Sequence, residues 1–179
     1  MTIPLLHGVT PLSHLGVIRA EGPEAAKFLH GQLTQDFALL GPDEGRLAAL
    51  CTAKGRMIAS FIGLRPQPEQ VLLVCSRDLL AATLKRLSMY VLRAKVKLDD
   101  ASDAFGLYGL AGPALAANGL DPAMAPGERI AIGDASAVML YPADGVPRAL
   151  WVAPVEGPLP VPVGDALGAG LWRWSEVRS

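Results

Sequence analysis

The hydrophobic pattern of the chain changes period several times, and each change marks an element. Leu15 to Ala20 (LGVIRA) reads as a strand. Gly22-Pro23 then opens a helix, since proline's fixed φ and missing N–H suit the first helical position. In the segment that follows, Ala25, Phe28, Leu29 and Leu33 fall on one helical stripe. Gly31 interrupts that stripe at a cost of about 1 kcal/mol relative to alanine, which points to a helix end or a close approach by another group. Two apolar runs, Leu47 to Ala53 and Met57 to Leu64, flank Lys54-Gly55-Arg56, and the glycine between them predicts a hairpin. Arg65-Pro66-Gln67-Pro68 reads as a polar loop and Val71 to Cys75 as a third strand of this group. Leu80, Leu84, Leu87 and Val91 step by four, three and four, the spacing of an amphipathic helix. Ala94 to Leu98 alternates basic and apolar residues, as an edge strand does.

The resulting order, β-α-β-β-β-α-β, predicts an α+β fold of antiparallel sheet and packed helices. Beyond Asp103 the pattern is weaker. It predicts a strand at Phe105 to Leu110, a short helix at Pro113 to Ala117 ending near Asn118-Gly119, and a Pro/Gly loop over residues 121–127. Arg129 to Leu140 and Ala149 to Val155 read as two strands around the turn Pro142-Ala143-Asp144-Gly145. Pro154, Pro158, Pro160 and Pro162 mark an extended connection that cannot be helical. In the last helix, Asp165 to Val177, Leu167, Leu171 and Trp174 share a stripe with no later element to cover it, which suggests a fragment. The expected division is an N-terminal α+β subdomain over residues 1–102 and a second subdomain over 103–179, incomplete at its C-terminus.

Composition narrows the class. The chain is 179 residues long, 51% hydrophobic and 18% charged, with a mean hydropathy of +0.33. A long uncharged stretch, Ala104 to Leu120, holds four glycines, a proline and an asparagine, and falls short of the ~20 apolar residues of a spanning helix. No basic residue precedes Arg19, so the secretory pattern is missing and a soluble, cytoplasmic protein without a membrane partner is expected. Cys51 and Cys75 each lie in a strand-like run, where cysteine is a small buried hydrophobe. His7, His14 and His30 have no ligand spacing, so no metal site is expected.

The net charge of −1 conceals an asymmetry. Residues 46–97 carry ten basic residues against Glu69 and Asp78, a local charge of +8, while residues 1–45 sum to −3 and residues 98–179 to −6. A basic middle suggests an anionic ligand or partner; internal pairing with the acidic segments is the alternative. Direct nucleic-acid binding is disfavoured, because only Phe61 and Tyr90 supply aromatic rings in that span.

Three stretches, GPEAAKFLHGQLTQD (Gly22 to Asp36), LAALCTAKGRMIASF (Leu47 to Phe61) and LKRLSMYVLRAKVKLDDAS (Leu84 to Ser102), resemble in order and spacing the YgfZ family. That family is related to the aminomethyltransferase (T-protein) of the glycine cleavage system. The resemblance implies a T-protein-like folate-binding fold with a ferredoxin-like subdomain, and tetrahydrofolate as the bound ligand. It also implies a role in assembling or maintaining iron–sulfur clusters, including those of tRNA-modifying enzymes, which would then be the partners. The alternative it leaves is a folate-dependent aminomethyltransferase; the accessory reading assigns no catalytic residue. The family's KGCYxGQE-like segment, with its reactive cysteine, has no counterpart in this sequence.

Residue chemistry adds candidates for the folate site. Gln32, Thr34 and Asp36 can offer donors and acceptors to a pterin edge, or can terminate the helix by local capping. Lys54 and Arg56 flank a hairpin glycine and can attract a glutamyl carboxylate, or simply be solvated. Met57 is a candidate wall for a flat ring or a core residue. Arg93 and Lys95 can pair with carboxylates through charge-assisted bonds. For a transferase, Asp36 is the best local acid or electrostatic partner to a folate nitrogen.

Overall fold

A computed structural model describes residues 6–156 and 161–179; Pro158 and Pro160 lie outside the described residues. The chain forms two compact units, one of residues 14–105 and one of residues 1–13 with 106–179.

The 14–105 unit has the expected order: β2 (Leu15–Glu21), α1 (Ala25–Gln32), β3 (Gly45–Cys51), β4 (Met57–Gln67), β5 (Gln70–Ser76), α2 (Arg77–Ser88) and β6 (Lys97–Asp100). Its sheet runs β3-β4-β5-β2-β6, and every ladder is antiparallel. Both helices pack on one face. Ala25, Phe28 and Leu29 of α1 and Leu80 and Leu87 of α2 share a core with Ile18, Ala48, Phe61, Leu73 and Cys75. Leu33 joins them just past the helix end, so the predicted stripe is the buried one.

Local boundaries differ in places: the edge strand read at Ala94 to Leu98 runs Lys97–Asp100, and α2 stops at Ser88, short of Val91. Pro23 lies ahead of the N-cap residue Glu24, because Gly22, at φ +137°, makes the turn into the helix. A side chain at Gly22 would run into the Lys95 carbonyl, so the site is closed to any Cβ. Gly31 is the penultimate residue of α1 and has open space around it; it marks the helix end. The expected loop at Arg65 to Pro68 is strand as far as Gln67, and Arg65 turns its guanidinium onto the Pro68 carbonyl. Proline is tolerated there because β4 leaves the regular ladder between Leu64 and Gln67.

The second unit is a five-stranded antiparallel sheet in the order β1-β7-β10-β9-β8. Its strands are β1 (Gly8–Pro11), β7 (Phe105–Ala111), β8 (Arg129–Ile132), β9 (Ala135–Ala143) and β10 (Val146–Pro154), with α3 (Ala114–Ala117) and α4 (Ala169–Val177). The division at 102/103 assigned the first residues to the N-terminal subdomain, but β1 pairs with β7, Gly8 opposite Ala111 and Pro11 opposite Tyr108. Sequence separation hid this: the two strands are nearly a hundred residues apart. The single run predicted at Arg129 to Leu140 is a hairpin, turning at Gly133 with φ +58°. The Asp144-Gly145 turn between β9 and β10 has both residues at positive φ, 46° and 79°, the geometry of a tight hairpin.

The last helix also differs from expectation. Residues 165–167 pair with β1: the Val9 amide donates to the Asp165 carbonyl at 2.8 Å, and the Leu167 amide donates to the Val9 carbonyl at 2.8 Å. The helix therefore starts at Ala169. Its buried face is Trp172 and Ser175, while Trp174 is exposed. Trp172 lies over Gly109 of β7, where any Cβ would stand 2.7 Å from the indole. The helix is thus covered by its own sheet, through a glycine that the stripe of Leu167, Leu171 and Trp174 gives no hint of.

Candidate functional site

All the candidate residues belong to the 14–105 unit, and α1 organises them. At its start, the Glu24 amide donates to the Lys95 carbonyl at 3.2 Å, and the Lys95 amide donates to Glu24 Oε2 at 2.7 Å. At its end, Thr34 bonds Ala49 of β3. The helix therefore crosses the sheet from the β6 side to the β3 side. These are opposite edges, four strand spacings or about 19 Å apart.

The candidates divide accordingly. Gln32, Thr34 and Asp36 lie along β3, and Lys54, Arg56 and Met57 lie at the β3–β4 turn. Arg93 and Lys95 lie beside β6, at the far edge.

The β3 group is built by a short connected network. The Thr34 amide donates to the Ala49 carbonyl at 3.0 Å, and Thr34 Oγ1 accepts from the Ala49 amide at 2.9 Å. Asp36 Oδ1 accepts from the Leu39 amide at 3.1 Å and stands 3.0 Å from His30 Nδ1. Arg46 Nη1 donates to the Asp36 carbonyl at 2.7 Å, and Nη2 donates to Glu44 Oε2 at 2.9 Å. Both His30 and Arg46 were absent from the sequence-level site. The signal for His30 was available: six residues separate it from Asp36 across a helix end, close enough for the two side chains to meet once the helix stops.

The hairpin tip is held by its backbone. The Thr52 amide donates to the Arg56 carbonyl at 2.8 Å, the Gly55 amide to the Thr52 carbonyl at 2.9 Å, and the Arg56 amide to Thr52 Oγ1 at 3.1 Å. That leaves the Lys54 and Arg56 side chains exposed and, among the described residues, without an ion pair. Met57 is 66% exposed, so it is not core.

The basic middle segment does not neutralise itself. Of its ten cations only Arg46 makes an ion pair among the described residues, while Arg65 and Arg77 bond backbone carbonyls. The cation that does pair closely with an acid at the sheet edge is Arg19, whose Nη2 donates to Asp99 Oδ2 at 2.7 Å. That bond raises the Arg19 pKa above its ordinary value, with burial opposing. Burial pushes the Cys75 thiol up to about 12, with the Asp100 charge adding to the effect. Cys75 is therefore a neutral core group, whereas Cys51 is half-buried. Among the described residues, no three His, Cys, Asp or Glu side chains cluster to hold a metal ion, and no helix is long and apolar enough to cross a membrane.

Comparison with known proteins matches residues 7–123 to the GCVT N-terminal domain. The chain is 32% identical over 111 residues to the tRNA-modifying protein YgfZ of Photorhabdus laumondii, covering 62% of this chain and 32% of that protein. It is 30% identical over 107 residues to an aminomethyltransferase of a Parafrankia species, covering 60% and 29%. Among solved structures, the glycine cleavage system aminomethyltransferase T from Bartonella henselae superposes with a TM-score of 0.68 at 22% identity, over 82% of this chain and 42% of that one. The α+β fold with antiparallel sheets is thus the T-protein fold. The chain spans about a third of the length of the curated relatives it matches.

Proposed function

The chain belongs to the GCVT N-terminal domain family, and from that membership we propose that it binds tetrahydrofolate as part of a cytoplasmic accessory protein for iron–sulfur enzymes, among them enzymes of tRNA modification. The observation that carries this reading is the family match over residues 7–123, with relatives named as tRNA-modifying proteins.

The chemistry of the β3 group fits a reduced folate. A pterin offers a flat ring with donors and acceptors along one edge. Asp36 supplies a carboxylate fixed by the Leu39 amide and His30, Thr34 keeps its hydroxyl hydrogen free to donate, and Gln32 supplies an amide. The exposed Met57 gives apolar surface for a ring, and Lys54 and Arg56, without an ion pair among the described residues, are cations for the glutamyl carboxylates. Arg93 and Lys95, at the opposite sheet edge, are left out of this set.

Calorimetry of the 179-residue chain with tetrahydrofolate tests the ligand. Binding that weakens about tenfold in Asp36→Asn, and several-fold in the pair Lys54→Gln with Arg56→Gln, is the expected result. A chain that takes up no tetrahydrofolate would overturn the assignment.

The second reading, a folate-dependent aminomethyltransferase, is favoured by relatives of that name at similar identity. In that case Asp36, held by His30, is the carboxylate placed against the folate nitrogen. A methylene-transfer assay separates the two, since Asp36→Asn must then abolish turnover as well as weaken binding.

A further inference from the structure

The end of α2 and the segment leading into β6 carry a surface that the folate reading does not use. Leu92 is 85% exposed, Met89 67% and Tyr90 48%, three large apolar side chains within four residues. Scattered single apolar residues on a surface are ordinary, but a cluster of this kind marks an interaction site. Lys85 and Arg86 precede them in the chain and Arg93 and Lys95 follow, all four exposed and all without an ion pair or side-chain hydrogen bond among the described residues.

The nearby acids are engaged elsewhere. Glu24 takes the Lys95 amide, Asp99 takes Arg19, and Asp100 takes the amide and hydroxyl of Ser102. Helix-end electrostatics account in part for Lys85 and Arg86, which sit in the last turn of α2. They do not account for Arg93 and Lys95, which lie beyond the helix.

The segment is also held in place. Val91, Ala94 and Val96 pack against the core of the unit. The Tyr90 amide donates to the Leu87 carbonyl at 3.0 Å, and the Val91 amide donates to the Ser88 carbonyl at 3.2 Å. A surface presented on a fixed backbone costs less ordering entropy on association.

We propose that residues 85–95 form a docking surface for a protein partner whose contacting face is acidic and holds an apolar recess for Leu92. Four unpaired cations call for an anionic partner. The aliphatic centre points to protein rather than RNA, because Leu92 and Met89 offer no face on which bases stack, and Tyr90 is the single ring. Methionine, tyrosine and arginine around an apolar centre are the residues enriched at protein interfaces.

The probe is a synthetic helical peptide with glutamates on one face and leucines at i, i+3, i+4 and i+7, titrated into the isotopically labelled 179-residue chain. Amide shifts in an NMR spectrum give the site. The peptide should perturb residues 85–95, bind several-fold more weakly when salt rises from 50 to 200 mM, and lose at least tenfold in affinity with Leu92→Asp. Arg93→Glu should weaken it as well, and Arg93→Lys should not. Tetrahydrofolate should bind these variants as it binds the parent, which separates failure here from failure of the folate reading. The proposal is overturned if the peptide does not bind, or binds Leu92→Asp equally well. Tighter binding of tRNA or of phosphatidylglycerol vesicles to the same residues, or self-association through them, overturns it too.

Discussion

Thr34 closes the free edge of β3 at Ala49, giving its own amide to the Ala49 carbonyl and its hydroxyl oxygen to the Ala49 amide. An edge strand with unpaired backbone groups is a template for association, and this contact blocks it at mid-strand. The same contact fixes the direction of the Gln32 to Asp36 segment relative to the hairpin, so edge protection and site geometry share one residue. Thr34→Val keeps the shape and removes the hydroxyl. It should lower stability by about 1 kcal/mol in urea unfolding, and hydrogen exchange should speed up at the Ala49 amide ahead of its neighbours. Unchanged Ala49 protection would remove this role.

The Cys75 thiol ties stability to alkaline pH. Its pKa is raised from the ordinary 9.0 to about 12, so the folded state keeps the proton after the unfolded chain has lost it. Its contribution is fully present below pH 9 and is lost as pH rises towards 12. Between pH 8 and 10.5 the chain should lose about 2 kcal/mol through this group. Comparison of denaturation curves with Cys75→Ala tests the point, since the variant should show a correspondingly flatter alkaline decline.

Reagent access to the two cysteines should differ in the same sense. Cys51 is half-buried on an edge strand, whereas Cys75 lies in the core of the unit. With a thiol-specific chromogenic reagent at neutral pH, one equivalent should react in the native state and the second only on unfolding.

Arg148 fastens α4 to its sheet. Its guanidinium donates to the Tyr141 carbonyl, from Nη2 at 3.0 Å, and to Ser175 Oγ at 2.8 Å, and lies 5.2 Å from the centre of the Trp172 ring. Burial lowers its pKa from the ordinary value, with Glu176 opposing. Arg148→Met takes the donor from the part-buried Tyr141 carbonyl and from the buried Ser175 Oγ, which keeps its own bond to the Trp172 carbonyl, and should cost about 2 kcal/mol. A red-shifted tryptophan emission would accompany it, as α4 loosens from β7 and Trp172 meets water.

Gly109→Ala probes the opposite side of the same indole. The added methyl would stand 2.7 Å from the Trp172 ring, inside any tolerable contact. Thermal unfolding should show a loss of about 1–3 kcal/mol from this overpacking. The double variant Gly109→Ala with Trp172→Leu should recover part of it, because the smaller side chain makes room.

The sequence by itself determined what depends on near neighbours. The order β-α-β-β-β-α-β, the buried stripe of α1 and the hairpin turns at Gly55 and at Asp144-Gly145 follow from side-chain period and from the φ each turn demands. Charge asymmetry was also legible, but not its fate: only the folded chain shows that most of the cations of residues 46–97 find no acid among the described residues. Tertiary structure decided the rest. It placed β1 beside β7, turned Trp172 rather than Trp174 inward over Gly109, drew His30 and Arg46 to Asp36, and set Arg93 and Lys95 on the opposite sheet edge from Met57. These arrangements join residues that are distant in sequence or set by the packing of a whole face. Local periodicity specifies which side of an element is apolar, but not which surface it will meet.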